Sequence, residues 1–248
     1  MLISKPQRWL LGIIIVSSVI FVAFPEIDLA IMRLLYRPEG DFLLKGHPAS
    51  LVYREFRTVY QWLLFGGIAV ATVWRICGRV LFGLTWRRLG VIWGTLAIGA
   101  GLICTLLLKE TFGRARPEHV VEFGGTRHFT PAWVLSSACD SNCSFVSGDV
   151  TIGFMALAFA LLVTGKWRPV AILSAILFGS AIGVMRMLTG AHFPSDVLFA
   201  GLMVSFVAIS CHYYLIERPA MVSRPQDKKD GKPVSRRATV STIARRCQ

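Results

Sequence analysis

Along this chain, long apolar blocks alternate with short polar intervals, and charges gather in the intervals instead of punctuating the blocks. Six blocks approach the roughly 20 residues that a membrane-crossing helix needs: 9–24, 59–76, 89–108, 150–163, 170–188 and 197–215. The fourth is short unless Ser147 or Asp149 already belongs to it. A soluble helix would show one apolar stripe and a charged opposite face, whereas these blocks are apolar all round. The pattern predicts an all-α polytopic membrane protein, with six transmembrane helices in one domain, 1–217. The first block follows Lys5 and Arg8, and no small-x-small site closes it, so it is expected to remain as an anchor and not be cleaved as a signal peptide.

Two polar intervals are long. In 25–58, IDLAIMRLLY places apolar residues at helical spacing and a Pro-Glu-Gly-Asp turn follows, which predicts a helix and turn resting on the membrane surface. Interval 109–148 holds FGGTRHFTPAW, whose glycines predict a folded loop and not a spacer. Short connections, TGKWRP and LTGAHFP, join the fourth helix to the fifth and the fifth to the sixth. From 218 to 248 the sequence is rich in Pro, Lys and Arg without apolar periodicity, and disorder is expected there.

The chain is 54% hydrophobic and 17% charged, with a mean hydropathy of +0.58. Its net charge of +13 follows from topology and calls for no nucleic acid. With six crossings both termini share one side, and that side carries the excess of Lys and Arg while the other is close to neutral. Such an excess marks the cytoplasmic face, so both termini are expected inside, with the basic tail 218–248 against anionic membrane lipids. Cys139 and Cys143 stand together as CDSNC in an outer loop, where an oxidising compartment would let them close a disulfide. The other four cysteines fall in spans or near the inner side. No metal motif is present, no cofactor is implied, and nothing sets an oligomeric state.

Candidate chemistry gathers at the outer ends of the helices. Lys109 and Arg116 are seven apart, close to two helical turns if the helix continues. Snorkelling at a membrane exit accounts for Lys109 alone, but not for Arg114, Arg116, Arg186 and His192 as a group on a nearly neutral side. Such a cluster suits a phosphate, to which arginine offers forked donors and lysine a mobile point charge. His192 and Asp196 are four apart, with Pro194 placed to open the sixth helix. The carboxylate is expected to receive one imidazole N–H, leaving the other nitrogen outward as a nucleophile. Ser147 and Gly148 precede the fourth helix, where Ser147 can cap it and unpaired backbone N–H groups can receive an anion.

Lys109, six residues, then Arg116-Pro117; Ser147-Gly148; and Arg186, five residues, His192, three residues, Asp196: in order and spacing these resemble the three motifs of the type 2 phosphatidic acid phosphatase superfamily. The resemblance implies a six-helix bundle and a metal-independent enzyme that works through a phosphohistidine. It implies His192 as the nucleophile, Asp196 as its orienting partner, and Lys109, Arg116 and Arg186 on the phosphoryl oxygens, with Ser147 and Gly148 adding hydrogen bonds. Two positions depart from the family pattern. Met185 stands where serine is usual before Arg186, and Asp149 stands where the second motif usually has the histidine that protonates the leaving oxygen. Three answers stay open for that proton: a protonated Asp149, His119 or His128 in the same outer loop, or no strong acid at all.

The substrate implied is a phosphorylated membrane lipid, handled at the periplasmic face of a bacterial inner membrane. FGGTRHFTPAW, the Cys139/Cys143 pair and NCSFVSGD look most like the lipid A phosphatase branch. Undecaprenyl diphosphate, phosphatidylglycerol phosphate, a lipid phosphotransferase and a non-catalytic lipid-binding relative stand as alternatives.

Overall fold

The computed structural model describes residues 3–218, and the tail expected to be disordered and basic lies, from 219 onward, outside the described residues. The main helices are α1 (Lys5–Ala23), α2 (Glu26–Leu34), α3 (Pro48–Ile76), α4 (Trp86–Lys109), α5 (Gly148–Ala160), α6 (Arg168–Leu188) and α7 (Pro194–Glu217). Among the described residues the only β pairings are two isolated bridges, Tyr36 with Phe42 and Val120 with Arg127. Helices α1, α3, α4, α6 and α7 are long and apolar enough to cross a membrane, and α5 is a shorter apolar helix. The protein is an all-α polytopic membrane bundle.

Local chemistry sets where these helices begin. Ser4 and Gln7 form a reciprocal capping box at α1 with Pro6 in its first turn, and Gln7 then reaches across to Ser210 Oγ at 2.8 Å, tying α1 to α7. The His47 side chain accepts from the Ala49 N–H at 3.1 Å, and Pro48 opens α3. That start precedes the apolar block 59–76 by about three turns, so Tyr53 and Arg57 belong to a helix and not to a surface segment. Thr85 caps α4, whose second half, Thr95–Lys109, is wound in wider turns. There Thr105 Oγ1 bonds back five residues to the Ala100 carbonyl at 2.8 Å.

Helix α7 is the central element and contacts α1, α4, α5 and α6. Its buried Phe199, Ala200 and Val204 share one core with Cys104 and Leu108 of α4 and Val150 and Phe154 of α5. Helix α5 breaks at Met155 into two pieces and lies close against α6. A Cβ at Gly179 would sit 2.3 Å from a ring carbon of Phe154, so only glycine allows this approach. Small residues at such crossings are how helices gain packing inside lipid.

The outer segments form a second layer. Met32 of α2 and Phe42 after the turn pack with Ala115, Val120, Phe123 and Phe193, so the stretch expected to rest on the membrane is also anchored in protein. Loop 110–147 is folded around an aromatic cluster: the Phe145 ring centroid lies 5.1 Å from Phe112 and 5.0 Å from Trp133, and Trp133 lies 5.0 Å from Phe199 of α7. Gly113 permits the fold, with φ +57° and its missing Cβ directed 1.9 Å from the Ser136 carbonyl oxygen.

Candidate active site

Where α4 ends, α5 begins and α6 gives way to α7, a polar cavity of about 140 Å³ opens. Lys109, Arg116, Gly148, Asp149, Arg186 and His192 line it, together with Arg57 and Asn142. Lys109 comes from the last turn of α4, Arg186 from the last turn of α6, and Asp149 from the first turn of α5. Helical continuation does not bring Arg116 to Lys109: α4 stops at Lys109, and the chain turns back through Gly113. Arg116 is instead held by its Nη2, which donates to the Asn142 carbonyl at 2.9 Å. Asn142 lies inside the Cys139–Cys143 disulfide ring, whose Cα atoms are 5.7 Å apart.

His192 is 2% exposed, and its geometry differs from the expected pairing. Its Nδ1 lies 2.8 Å from the Ser144 carbonyl oxygen and 3.7 Å from Asp196 Oδ2. A carbonyl only accepts, so Nδ1 carries the proton and Nε2 keeps its lone pair. Asp196 is occupied elsewhere. Its Oδ2 accepts from Ser144 Oγ at 2.5 Å and from the Phe193 N–H at 2.8 Å, and its Oδ1 accepts from Arg114 Nη1 at 2.6 Å. The carboxylate therefore fixes the two segments that hold the ring more than it touches the ring. Burial, and after it the positive Arg186 and Lys109, push the His192 pKa below its ordinary value of 6.5 against the pull of Asp196, which favours the neutral imidazole.

Arg114, grouped by sequence with the phosphate-facing cations, points away from the cavity. It is 1% exposed, with Nη2 on Asp28 Oδ2 at 2.8 Å, Nη1 on Asp196 and Ser195, and Nε on the Thr130 carbonyl at 2.8 Å. Its guanidinium carbon lies 4.3 Å from the Phe193 ring centroid. Two buried carboxylates demand a shared cation, and that demand places Arg114. Asp28 also accepts from the Ser195 N–H at 2.9 Å and from its Oγ at 2.6 Å. Burial raises the Asp28 pKa and Arg114 opposes it.

Two buried donors of cavity-lining residues have no hydrogen-bond partner, Arg57 Nε and Arg186 Nε, and so does Ser147 Oγ, next to the cavity-lining Gly148. Ser147 does not cap α5 as its sequence position suggested, because its side chain makes no cap bond. Arg186 Nε is 3.2 Å from Asp149 Oδ2, an ion pair by distance whose N–H is not aimed at the oxygen. His119 is largely exposed beside Glu118, His128 is exposed, and neither lines the cavity. Sequence reasoning missed Arg57, Tyr53, Asn142, Ser144 and Asp28. The available signal was Tyr53 and Arg57, four apart and thus on one helix face. Among the described residues no group of three or more His, Cys, Asp or Glu is placed to hold a metal ion.

The model of the PAP2 superfamily matches residues 90–219. The lipid A 4'-phosphatase of Francisella tularensis subsp. novicida is 33% identical over 199 residues, which cover 79% of this chain and 90% of that relative. The lipid A 4'-phosphatase of Rhizobium leguminosarum is 31% identical over 207 residues, 77% of this chain and 88% of its own. A lipid A 1-phosphatase of Rhizobium etli is 40% identical over 109 residues, 44% of this chain and 42% of its own. No solved structure matches the chain.

Proposed function

Because the chain belongs to the PAP2 superfamily, we propose that it is an inner-membrane phosphatase that removes a phosphate from lipid A, with the 4'-phosphate as the group cleaved. The observation that carries this is His192, locked by the Ser144 carbonyl with Nε2 free, in the wall of a cavity with four cationic side chains. A binding site alone has no use for a positioned nucleophile. The 4'-position is favoured because the 4'-phosphatase relatives match 79% and 77% of the chain, whereas the 1-phosphatase match covers 44%.

In the proposed reaction Lys109, Arg116 and Arg186 hold the phosphoryl oxygens, with Ser147 Oγ and the α5 N-terminus at Gly148 completing the cradle. His192 Nε2 attacks phosphorus, the bond to the sugar oxygen breaks, and Asp149 protonates that oxygen as it leaves. The proton enters with the phosphate monoanion, which shares it with Asp149. Water then attacks the phosphohistidine, the P–N bond breaks, Asp149 takes the water's proton, and inorganic phosphate departs. Asp196 stays ionised throughout, holding Ser144 and Phe193 in place.

Topology supports six crossings. The ends of α4 and α6 and the start of α5 all meet at one cavity, which supports a start of α6 on the opposite side and a crossing between Gly148 and Gly165. Helix α5 is about 20 Å long at about 1.5 Å per residue, short of the roughly 30 Å hydrocarbon core, and the residues after Ala160 complete the passage. With both termini cytoplasmic by their Lys and Arg excess, the cavity faces the periplasm, and the basic tail meets anionic lipids on the opposite, cytoplasmic side.

Phosphate release by the purified protein should be measured on lipid A, undecaprenyl diphosphate and phosphatidylglycerol phosphate, with and without an added lipid acceptor. Release from lipid A with loss of the 4'-phosphate by mass spectrometry is expected. Release that depends on the acceptor would make the protein a phosphotransferase, and no release from any lipid would leave a binding protein.

A further inference from the structure

Arg57 belongs to none of the three motifs, yet it enters the cavity from α3. Its Nη1 lies 3.4 Å from Asp149 Oδ1 and 3.2 Å from Oδ2. Tyr53, one turn earlier, places its hydroxyl 3.5 Å from Oδ2. On the other flank Arg186 Nε stands 3.2 Å from the same oxygen. Both carboxylate oxygens of Asp149 thus sit between two guanidinium groups in the space where phosphate oxygens would bind. Each of those guanidiniums also keeps a buried Nε without a partner, so neither has its donors satisfied by the carboxylate.

A carboxylate and a phosphate are alternative acceptors for the same arginine fork. We propose that Arg57 is a fourth phosphate-binding cation, and that Asp149 is the counter-ion of the empty site, yielding Arg57 and Arg186 to the incoming phosphate. The proposal deepens the phosphatase reading and rests on it for the identity of the anion. Charge gives the reason. Asp149 subtracts one from the three motif cations Lys109, Arg116 and Arg186, and Arg57 restores it, so the cavity keeps a net charge of three for the entering phosphate monoanion. The exchange also frees Asp149 from its cation at the moment it must handle a proton. A purely structural role for Arg57, pinning α3 to α5, is already served by Tyr60, whose hydroxyl donates to the Ile152 carbonyl at 3.2 Å.

The test is binding of orthophosphate to the full chain in detergent, read by calorimetry and therefore independent of turnover. Arg57→Ala should weaken orthophosphate binding about tenfold or more, and Arg57→Lys by less. Asp149→Asn should tighten it by about tenfold, because no resident carboxylate has to be displaced. In the double variant the gain from Asp149→Asn should largely vanish, since its main beneficiary is gone. Unchanged binding in Arg57→Ala overturns the cation assignment, and weaker binding in Asp149→Asn overturns the counter-ion assignment. Should Arg57→Ala fail to fold, Arg57→Lys and Asp149→Asn still decide. Failure of the phosphatase reading would show separately, as absence of phosphate release from lipid A by the unaltered protein.

Discussion

Replacing Arg114 by methionine removes the one positive charge between Asp28 and Asp196 while keeping much of the side chain's length. Both carboxylates are fully buried, so each loses its compensating cation at once. Breaking one buried pair by deleting one partner costs about 3–5 kcal/mol, and here the bonds to Thr130 and Ser195 go as well. Apolar contact of the methionine with Phe193 offsets part of that, which leaves about 4 kcal/mol as the expected loss. Adding Asp28→Asn should recover a large share, because the second variant removes one of the two stranded charges. The deficit should also depend on pH. Without Arg114, burial and the neighbouring Asp196 charge raise the folded pKa of Asp28 above the unfolded value against the Ser195 hydrogen bonds, so the charged form is penalised. Stability is then fully present below the unfolded pKa, falls as pH rises from there, and the loss is complete above the folded pKa. Thermal denaturation in detergent micelles, followed by tryptophan fluorescence at pH 5 and pH 8, measures each of these. An Arg114→Met protein as stable as the parent at both pH values would refute the buried-cation account of α2 and α7.

His192→Ala should retain the fold and lose all acid-labile phosphoryl trapping from labelled substrate, and the acid limb of the parent's pH–rate profile should lie below the 6.5 of a free imidazole, because burial lowers the His192 pKa and the neutral form is the nucleophile. Asp149→Asn should abolish turnover of lipid A while sparing an activated aryl phosphate, whose leaving group needs no proton, and Asp149→His should keep activity; equal rates of the Asn variant on both substrates would remove the acid role. Gly179→Ala should cost about 1–3 kcal/mol, since its Cβ would meet the Phe154 ring at 2.3 Å, and a thermal midpoint unchanged from the parent would show that α5 and α6 can part.

What was legible in the sequence was whatever local spacing governs. The apolar blocks located the long helices because burial in lipid is written residue by residue, and the short α5 block already looked short. Lys109, Arg116, Gly148, Asp149, Arg186 and His192 reach one cavity because each lies at or near a helix end, where polar residues leave the apolar interior. Partners far apart in sequence were invisible. Arg57 meets Asp149 across 92 positions, and His192 meets the Ser144 carbonyl across 48, and neither contact has a periodicity to betray it. A backbone carbonyl in particular carries no sequence signal at all. Arg114 was misplaced for the opposite reason: its charge and its closeness to Arg116 suggested a shared target, while the irregular chain after Gly113 sends the two side chains to different partners. Asp196 looked like the direct mate of His192 by its four-residue spacing, but Arg114, Ser144 and the Phe193 N–H together claim its oxygens.

The bond from the Ser195 backbone to Asp28 spans 167 positions, and this gives the protein a timetable. At about 5–20 residues per second, roughly 10–30 s of synthesis separate the emergence of Asp28 from that of Ser195, with Arg114, 86 positions on, emerging about midway. Until Arg114 has emerged, α2 has no cation with which to bury the Asp28 carboxylate. A nascent chain halted between Arg186 and His192 therefore carries Arg57, Lys109, Arg116 and Arg186 but lacks the imidazole proposed as the nucleophile. Hydrolytic power arrives only with the last crossing, when the first and final helices of the bundle close on each other, so an immature chain is chemically silent toward the lipids it is being threaded through.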